Sequence, residues 1–250
     1  MQLQLKVEPY FPTKQLTIKS MSKSKLSVLI PVYNEVHTIV TLVGKVKSAQ
    51  ISIEKEILIV DDGSTDGTRD LLNKMRDDPE LKIEFMDENV GRGGVIKHLW
   101  KKLTGDIVIH QDADLEYDPA EYQQLLNPLL SGDADVVYGS RFKGSIEKMR
   151  ALNNLGNRAM TLMTRLLYHI NITDLMTCYK MYRASLINGL SIEANGFNFE
   201  AEFTARLAQR GASFAEVPVS FVGRTVEEGK KIIAADALYV IQKLISCKFK

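Results

Sequence analysis

Short apolar runs that alternate with helical patterns constrain the fold of this chain more than any other feature. A helix-like segment separates each run from the next. Strands joined by crossover helices pair in parallel, so the alternation predicts an α/β fold with a mostly parallel central sheet flanked by helices. The five runs lie at 26–30, 56–60, 82–86, 106–110 and 135–139.

The length and composition of the chain fit one domain better than two. The chain has 250 residues, of which 45% are hydrophobic, enough for one sizeable core. Residues 1–25 mix Lys, Ser, Thr, Gln and Pro without a clear period, which predicts a flexible N-terminal extension. We therefore expect a single domain over 26–250, divided into halves 26–140 and 141–250. Apolar spacing over 227–249 predicts an amphipathic C-terminal helix, packed on the core or exposed to a membrane surface.

Charge, cysteine content and hydropathy limit the partners and the location of the protein. The formal net charge of +1 gives no overall attraction to nucleic acid. Two isolated cysteines, Cys178 and Cys247, favour a reducing cytoplasm, and Cys178 is expected in the core. No apolar run reaches the roughly 20 residues of a transmembrane helix, so we expect any membrane contact to be peripheral, at the cytoplasmic face.

Acidic residues follow the fourth predicted strand, in the segment HQDADLEYDP. Ligands of open parallel sheets bind outside the carboxyl ends of the strands. The carboxylates of Asp112 and Asp114 are therefore expected to share Mg²⁺ or Mn²⁺ with diphosphate oxygens, and Glu116 is a candidate third ligand. The alternative is that these residues merely cap the helix that begins near Pro119, but polar clusters after the other strands weigh against it.

A second acidic pair, Asp61 and Asp62, follows the second predicted strand in a turn-forming segment. One carboxylate is expected to accept hydrogen bonds from a base or ribose, while Gly63 permits a tight turn. An Asp-Gly turn with a capping box is the alternative.

Basic residues near the same edge are candidates for contacts with phosphate. Arg141 directly follows the fifth strand, and Arg224, Lys230 and Lys231 lie on a Gly-bounded polar segment. Arg92 lies in NVGRGG, which lacks the spacing of known nucleotide-binding glycine loops. Ordinary surface charge is the alternative for all of them.

Read together, PVYNE, VDDGSTDGT, DADLEYDP, GSRF, TDLMTCYK and GRTVEEGKK resemble the motifs of inverting family-two glycosyltransferases of the GT-A fold. Within that family the chain is most similar to the polyprenyl- and dolichyl-phosphate sugar synthases. The resemblance covers nearly everything from Leu26 to Phe249, and Arg92 stands where relatives commonly have Lys. It implies that 26–140 binds a nucleotide sugar and that 141–250 forms the acceptor side. Because no transmembrane hairpin follows the domain, a membrane-anchoring partner protein is a further expectation.

The resemblance also implies roles for individual residues. The nucleoside and donor would be held by Pro31, Tyr33, Glu35, Val60, Asp62 and Ala113. Asp112 and Asp114 would bind the metal, with Glu116 at the variable third position. Arg141, Arg224 and Lys230 would hold the phosphates of the donor or the acceptor.

The leading functional hypothesis is transfer of a hexose from GDP-mannose or UDP-glucose to a polyprenyl or dolichyl phosphate, with Mg²⁺ or Mn²⁺ as cofactor. A first alternative is transfer to a saccharide hydroxyl, which needs a general base such as Asp174; that residue could equally be a helix N-cap. A second alternative is a non-catalytic nucleotide-sugar-binding subunit that depends on a partner for membrane attachment.

Overall fold

The structure, a computed structural model, describes residues 24–149, 151–224 and 236–249. The first strand begins at Lys25, so the predicted extension falls outside the described residues except for its last two. Lys230 and Lys231 also lie outside them. Nine strands are described: β1 (Lys25–Val32), β2 (Glu54–Asp61), β3 (Leu81–Phe85), β4 (Ile107–His110), β5 (Val136–Ser140), β6 (Ile146–Glu147), β7 (Lys180–Arg183), β8 (Phe214–Pro218) and β9 (Phe221–Val222).

Helices separate the first five strands, as the alternation predicts. Short 3₁₀ helices span Pro119–Glu121 and Ala184–Ile187. The described α-helices are α1 (Ile39–Ser48), α2 (Thr68–Lys74), α3 (Arg92–Leu99), α4 (Tyr122–Ser131), α5 (Ala151–Tyr168), α6 (Phe199–Gln209) and α7 (Asp236–Lys248). No described helix combines the length and the apolar character needed to cross a bilayer.

Seven strands form the central sheet, in the order β3-β2-β1-β4-β7-β5-β8. Six run in one direction, and β7 pairs antiparallel with both β4 and β5. The predicted mostly parallel α/β sheet is thus confirmed. Within 141–250, β8 lies at one edge of the sheet, whereas β7 lies inside it. Met181 and Tyr182 of β7 are fully buried, because elements pack on both faces at this point.

The core explains why the central strands read as continuous apolar runs. Along β1, Val28 and Ile30 face a layer that includes α1 and α4, while Leu29 faces α3, α6 and α7 on the other side. A strand covered on both faces needs apolar residues at every position. The described part of the predicted C-terminal helix, α7, packs on this second layer through Val240, Leu244 and Cys247.

The register of the sheet brings the functional loops together. Val32 pairs with Asp61 across β1 and β2, and Leu29 pairs with His110 across β1 and β4. Beyond these pairs, the amide of Asp62 donates to the carbonyl of Val32 at 2.7 Å. The polar segments that follow β1, β2 and β4 therefore start side by side at one edge.

Candidate active site

A cavity of about 520 Å³ opens at this edge of the sheet. The fold brings together side chains that are far apart in sequence. Two predicted residues are not among its lining: Val60 is 1% exposed within the sheet, and Asp174 is fully buried behind it. Lys230 lies outside the described residues. The predicted residues that line the cavity are Pro31, Tyr33, Glu35, Asp62, Asp112, Ala113, Asp114, Glu116, Arg141 and Arg224.

The remaining wall of the cavity is largely apolar. Met160 of α5 and Val240 of α7 belong to it, so the two helices border the cavity directly. Sequence reasoning did not identify this wall, because an apolar residue that faces a cavity has the same pattern as one that faces the core. Further apolar lining comes from Met149, Met176, Phe197, Phe221 and Ala237.

The acidic segment after β4 folds into a tight turn. Leu115 has a φ of 65°, and the Oδ1 of Asp114 accepts the amide of Glu116 at 3.1 Å. Burial, with the nearby charges of Asp112 and Glu116, raises the pKa of Asp114, while Arg224 opposes the rise. Crowded carboxylates of this kind are neutralised either by a proton or by a neighbouring cation.

The side chains of this turn offer ligand atoms that suit a hard divalent cation. Asp112, Asp114 and Glu116 offer carboxylate oxygens, the ligands that Mg²⁺ and Mn²⁺ prefer. In the present arrangement no three His, Cys, Asp or Glu side chains of the described residues converge with metal-site geometry. The oxygens of Asp114 and Glu116 are instead turned towards an arginine.

That arginine is Arg224, which lies just after β9. Its Nη1 donates to both oxygens of Glu35, at 3.1 and 3.0 Å, and its Nη2 donates to Oδ2 of Asp114 at 2.8 Å. Its backbone amide donates to Oε1 of Glu116 at 2.8 Å. The Nε is buried and has no hydrogen-bond partner. One guanidinium therefore bridges the loop after β1 and the loop after β4.

Arg141, at the end of β5, is held by Asp174. The Nε and Nη2 of Arg141 each donate to an Asp174 oxygen at 2.7 Å, and its amide donates to Oδ2 at 3.1 Å. Asp174 is 0% exposed, so it has no access to a substrate hydroxyl. This position favours a role in orienting the arginine over the predicted role as general base, because the bidentate pair uses both carboxylate oxygens.

Arg92 is not a solvated loop arginine. Its Nε donates to Oδ1 of Asp112 at 2.8 Å, and its Nη1 donates to Glu200. Glu200 in turn accepts from Lys180, which is fully buried and lies 4.7 Å from the ring centre of Tyr138. Although burial alone would raise the pKa of Glu200, the charges of Lys180 and Arg92 lower it to about 2. A line of alternating charges thus runs from Asp112 into the core.

Sequence reasoning missed both Glu200 and Lys180. The available signal was a charged residue inside an apolar pattern: Lys180 stands in CYKMY, and Glu200 stands in FNFEAEF. Charged side chains at positions facing the core are rarely fully buried unless they are paired. A charged residue within an apolar pattern therefore indicates a buried ion pair, but the sequence does not identify the second residue of the pair.

The glycines of NVGRGG serve close packing. Asp62 accepts the amides of Val90 at 2.8 Å and Gly91 at 3.0 Å, which fixes this loop against the end of β2. Gly91 has a φ of 83°, and a Cβ there would lie 2.8 Å from the carbonyl oxygen of Asn195. Larger residues are therefore excluded. Burial raises the pKa of Asp62 despite these hydrogen bonds.

Cys178, predicted to lie in the core, packs against the core from the side of the cavity. Cys178 is half-buried and lines the cavity beside Asp112. Burial raises the pKa of its thiol well above the usual range. β7 begins only at Lys180, and Met176 and Cys178 of the segment before it contribute to the cavity wall.

Comparison with known sequences identifies relatives over most of the chain. The model of the family described as glycosyl transferase family 2 matches residues 27–190. The undecaprenyl-phosphate mannosyltransferase of Micrococcus luteus is 30% identical over 215 residues, which cover 82% of this chain and 87% of the relative. The polyprenol monophosphomannose synthase of Mycolicibacterium smegmatis is 28% identical over 214 residues, covering 81% of this chain and 79% of the relative.

Comparison with solved structures supports the same fold. Glucosyl-3-phosphoglycerate synthase from Mycobacterium tuberculosis, in complex with Mn²⁺, UDP and phosphoglyceric acid, superposes with a TM-score of 0.72 at 20% identity. The match covers 93% of this chain and 82% of the other. A complex of the same synthase with Mg²⁺ and UDP gives a TM-score of 0.71 at 19% identity. The predicted GT-A fold is confirmed.

Proposed function

The chain belongs to glycosyl transferase family 2 and is a glycosyltransferase, and we propose that it transfers a hexose from a nucleotide sugar to a polyprenyl phosphate. The observation that carries the proposal is the composition of the cavity. Carboxylates and arginines gather where β1, β2 and β4 end, while methionines of and near α5 form an apolar wall. Such a site suits a diphosphate donor together with an acceptor that is both anionic and apolar.

Two observations bear on the donor. Both relatives compared above are named for mannose transfer to a polyprenyl carrier, which favours mannose as the hexose. The structural neighbour was solved with UDP, so GDP-mannose and UDP-glucose both remain donors to be tested. Pro31, Tyr33 and Asp62 line the part of the cavity beside the ends of β1 and β2 and are proposed to contact the nucleoside.

Asp112, Asp114 and Glu116 are proposed to hold Mg²⁺ or Mn²⁺ with the donor. Bound there, the ion would offset the negative charge that develops on the departing nucleoside diphosphate. Arg92 donates to one oxygen of Asp112 and so fixes this carboxylate at the cavity. The binding of a divalent cation by the structural neighbour is consistent with this role.

The acceptor side favours a phosphate over a hydroxyl. A saccharide hydroxyl needs a general base, and the residue predicted for that role, Asp174, is buried against Arg141. A lipid phosphate is already anionic and needs positioning by cations. We propose that Arg141, which Asp174 orients, is the cation that positions the lipid phosphate. An oxygen of the lipid phosphate attacks the anomeric carbon, the bond to the diphosphate oxygen breaks, and the configuration inverts.

The surface beside the cavity suits contact with a lipid bilayer. Arg158 and Arg165 are exposed among the leucines of α5, so an anionic lipid surface at the cytoplasmic face matches both the charge and the apolar character. Leu155, Leu162 and Leu166 of α5 are 67%, 54% and 69% exposed, and Leu238 and Tyr239 of α7 are 71% and 63% exposed. We call these five residues the α5–α7 surface.

The proposal is tested by calorimetry and turnover with the purified chain. Titration with GDP and with UDP, each with Mn²⁺, identifies the base. Release of nucleoside diphosphate from the matching sugar donor is then measured with and without a short polyprenyl phosphate. We expect release to depend on the lipid phosphate and to be lost in Asp112→Asn. Equal release without lipid, or full activity in the variant, would contradict the proposal.

A further inference from the structure

We propose that Arg224 is an internal substitute for the divalent cation, which the metal displaces when it arrives with the nucleotide. The inference rests on the proposed metal site and goes beyond it. The guanidinium of Arg224 lies among carboxylates from two separate loops, Glu35 after β1 and Asp114 and Glu116 after β4. These include two of the three residues that would ligate the ion.

Arg224 and a metal ion would compete for the same carboxylates. The Oδ2 of Asp114 accepts Nη2 at 2.8 Å, and the Oε1 of Glu116 accepts the Arg224 amide at 2.8 Å, 3.9 Å from Nε. Coordination of Mg²⁺ or Mn²⁺ would turn these oxygens away from the guanidinium, and the two cations would repel each other. Each cation therefore weakens the binding of the other.

The charges indicate why such a substitute is needed. Asp112 has Arg92 as its permanent partner, whereas Asp114 and Glu116 share Arg224 with Glu35. Without a cation, converging buried carboxylates repel one another and lose hydration. Arg224 compensates them in the metal-free protein.

Once displaced by the metal, the guanidinium of Arg224 is able to bind phosphate. Its Nε–H is buried without a hydrogen-bond partner, so the guanidinium has unused donor capacity. A nucleoside diphosphate that enters with the ion brings oxygens that match a guanidinium fork. The exchange converts Arg224 from a partner of carboxylates into a partner of phosphate, and it disfavours metal binding without nucleotide.

Manganese binding measured by electron paramagnetic resonance, with no sugar and no acceptor, tests the exchange. In Arg224→Gln we expect Mn²⁺ to bind at least about fivefold tighter than in the wild type, because the competing cation is gone. With saturating nucleoside diphosphate the order should reverse, since the variant has lost a phosphate contact. Arg76→Gln, an exposed arginine away from the cavity, should match the wild type. A gain below fivefold without nucleotide, or a gain that persists with it, overturns the proposal.

A second measurement keeps the test valid if Arg224→Gln does not fold. The side-chain Nε–H resonance of Arg224 is assigned in the wild-type protein by its absence in Arg224→Lys. Adding Mg²⁺ with nucleoside diphosphate should shift this resonance, and a resonance unchanged at saturation overturns the exchange. Both measurements are independent of the acceptor, so a failed lipid assay leaves this inference standing, and a failed exchange leaves the transferase proposal standing.

Discussion

The charged residues of the cavity floor are held by partners that lie deeper in the protein. Lys180 is fully buried, and its ammonium group donates to Glu200. It also donates to the carbonyl oxygens of Leu175 and Thr177, at 2.9 and 2.6 Å. Glu200 holds Arg92, and Arg92 holds Asp112. The position of Asp112, a proposed metal ligand, therefore depends on a lysine in the core.

Removing the buried lysine should unbalance this line of charges. Lys180→Met leaves Glu200 with less compensation, and we expect the free energy of unfolding to fall by about 3–5 kcal/mol. Urea denaturation measures the loss. The double variant Lys180→Met/Glu200→Gln should recover part of it, because the carboxylate charge is also gone. A single variant as stable as the wild type would show that the pair contributes nothing.

An experiment can distinguish a role of Asp174 in orienting Arg141 from a role as general base. Asp174→Asn breaks the bidentate pair with Arg141, so we expect KM for the lipid phosphate to rise about tenfold, in line with the loss of about 1.4 kcal/mol of binding. The pH dependence of kcat should keep its shape. Loss of the acidic limb of that profile would instead identify Asp174 as the base. Asp133→Asn, an exposed acid on the loop after α4, is the matched control.

At the scale of elements, the strands predicted from apolar runs were confirmed because β1, β2 and β4 are covered on both faces. The position of β7 was not predictable, since the choice of its partners depends on contacts with β4 and β5, far away in sequence. The same limit applies to the site. Asp112, Asp114 and Arg141 were found from their place after strands, but the pairing of Arg92 with Glu200 joins residues 108 apart.

The α5–α7 surface should bind anionic vesicles. Replacing Leu162 and Leu166 with Asp removes apolar area and adds negative charge, so we expect the fraction of protein that sediments with vesicles of anionic lipid to fall at least about tenfold. Val40→Asp is the matched control, because Val40 is 50% exposed on α1, on the opposite side of the sheet. Equal loss in the control would exclude a specific surface.

At the scale of the whole molecule, Glu56 joins the strands at the edge opposite the cavity. Its carboxylate accepts from Ser27 at 2.6 Å, from Lys82 at 2.7 Å and from the amide of Thr104 at 2.6 Å. Burial would raise its pKa, but these donors outweigh burial and lower it to about 2. One acidic side chain thus connects β1, β2 and β3 with the loop before β4.

This lowered pKa makes stability depend on pH. A carboxylate whose folded pKa lies below its unfolded value stabilises the fold above about pH 4.5, and the contribution is lost as the pH falls towards about 2. Glu56→Gln should therefore cost about 2–3 kcal/mol of unfolding free energy at pH 7, and its difference from the wild type should shrink below pH 4.5. Denaturation with urea across this range checks both. Glu147→Gln, on exposed β6 backbone, should show no such trend.

We propose that this glycosyltransferase uses a lipid phosphate as its acceptor. The most direct measurement is mass spectrometry of the lipid product after incubation with Mn²⁺, GDP-mannose or UDP-glucose, and three acceptors: a short polyprenyl phosphate, the matching polyprenol and an oligosaccharide. We predict that a hexose is added to the polyprenyl phosphate and to neither of the others. Addition to the oligosaccharide, or to the polyprenol as efficiently as to its phosphate, would contradict the account.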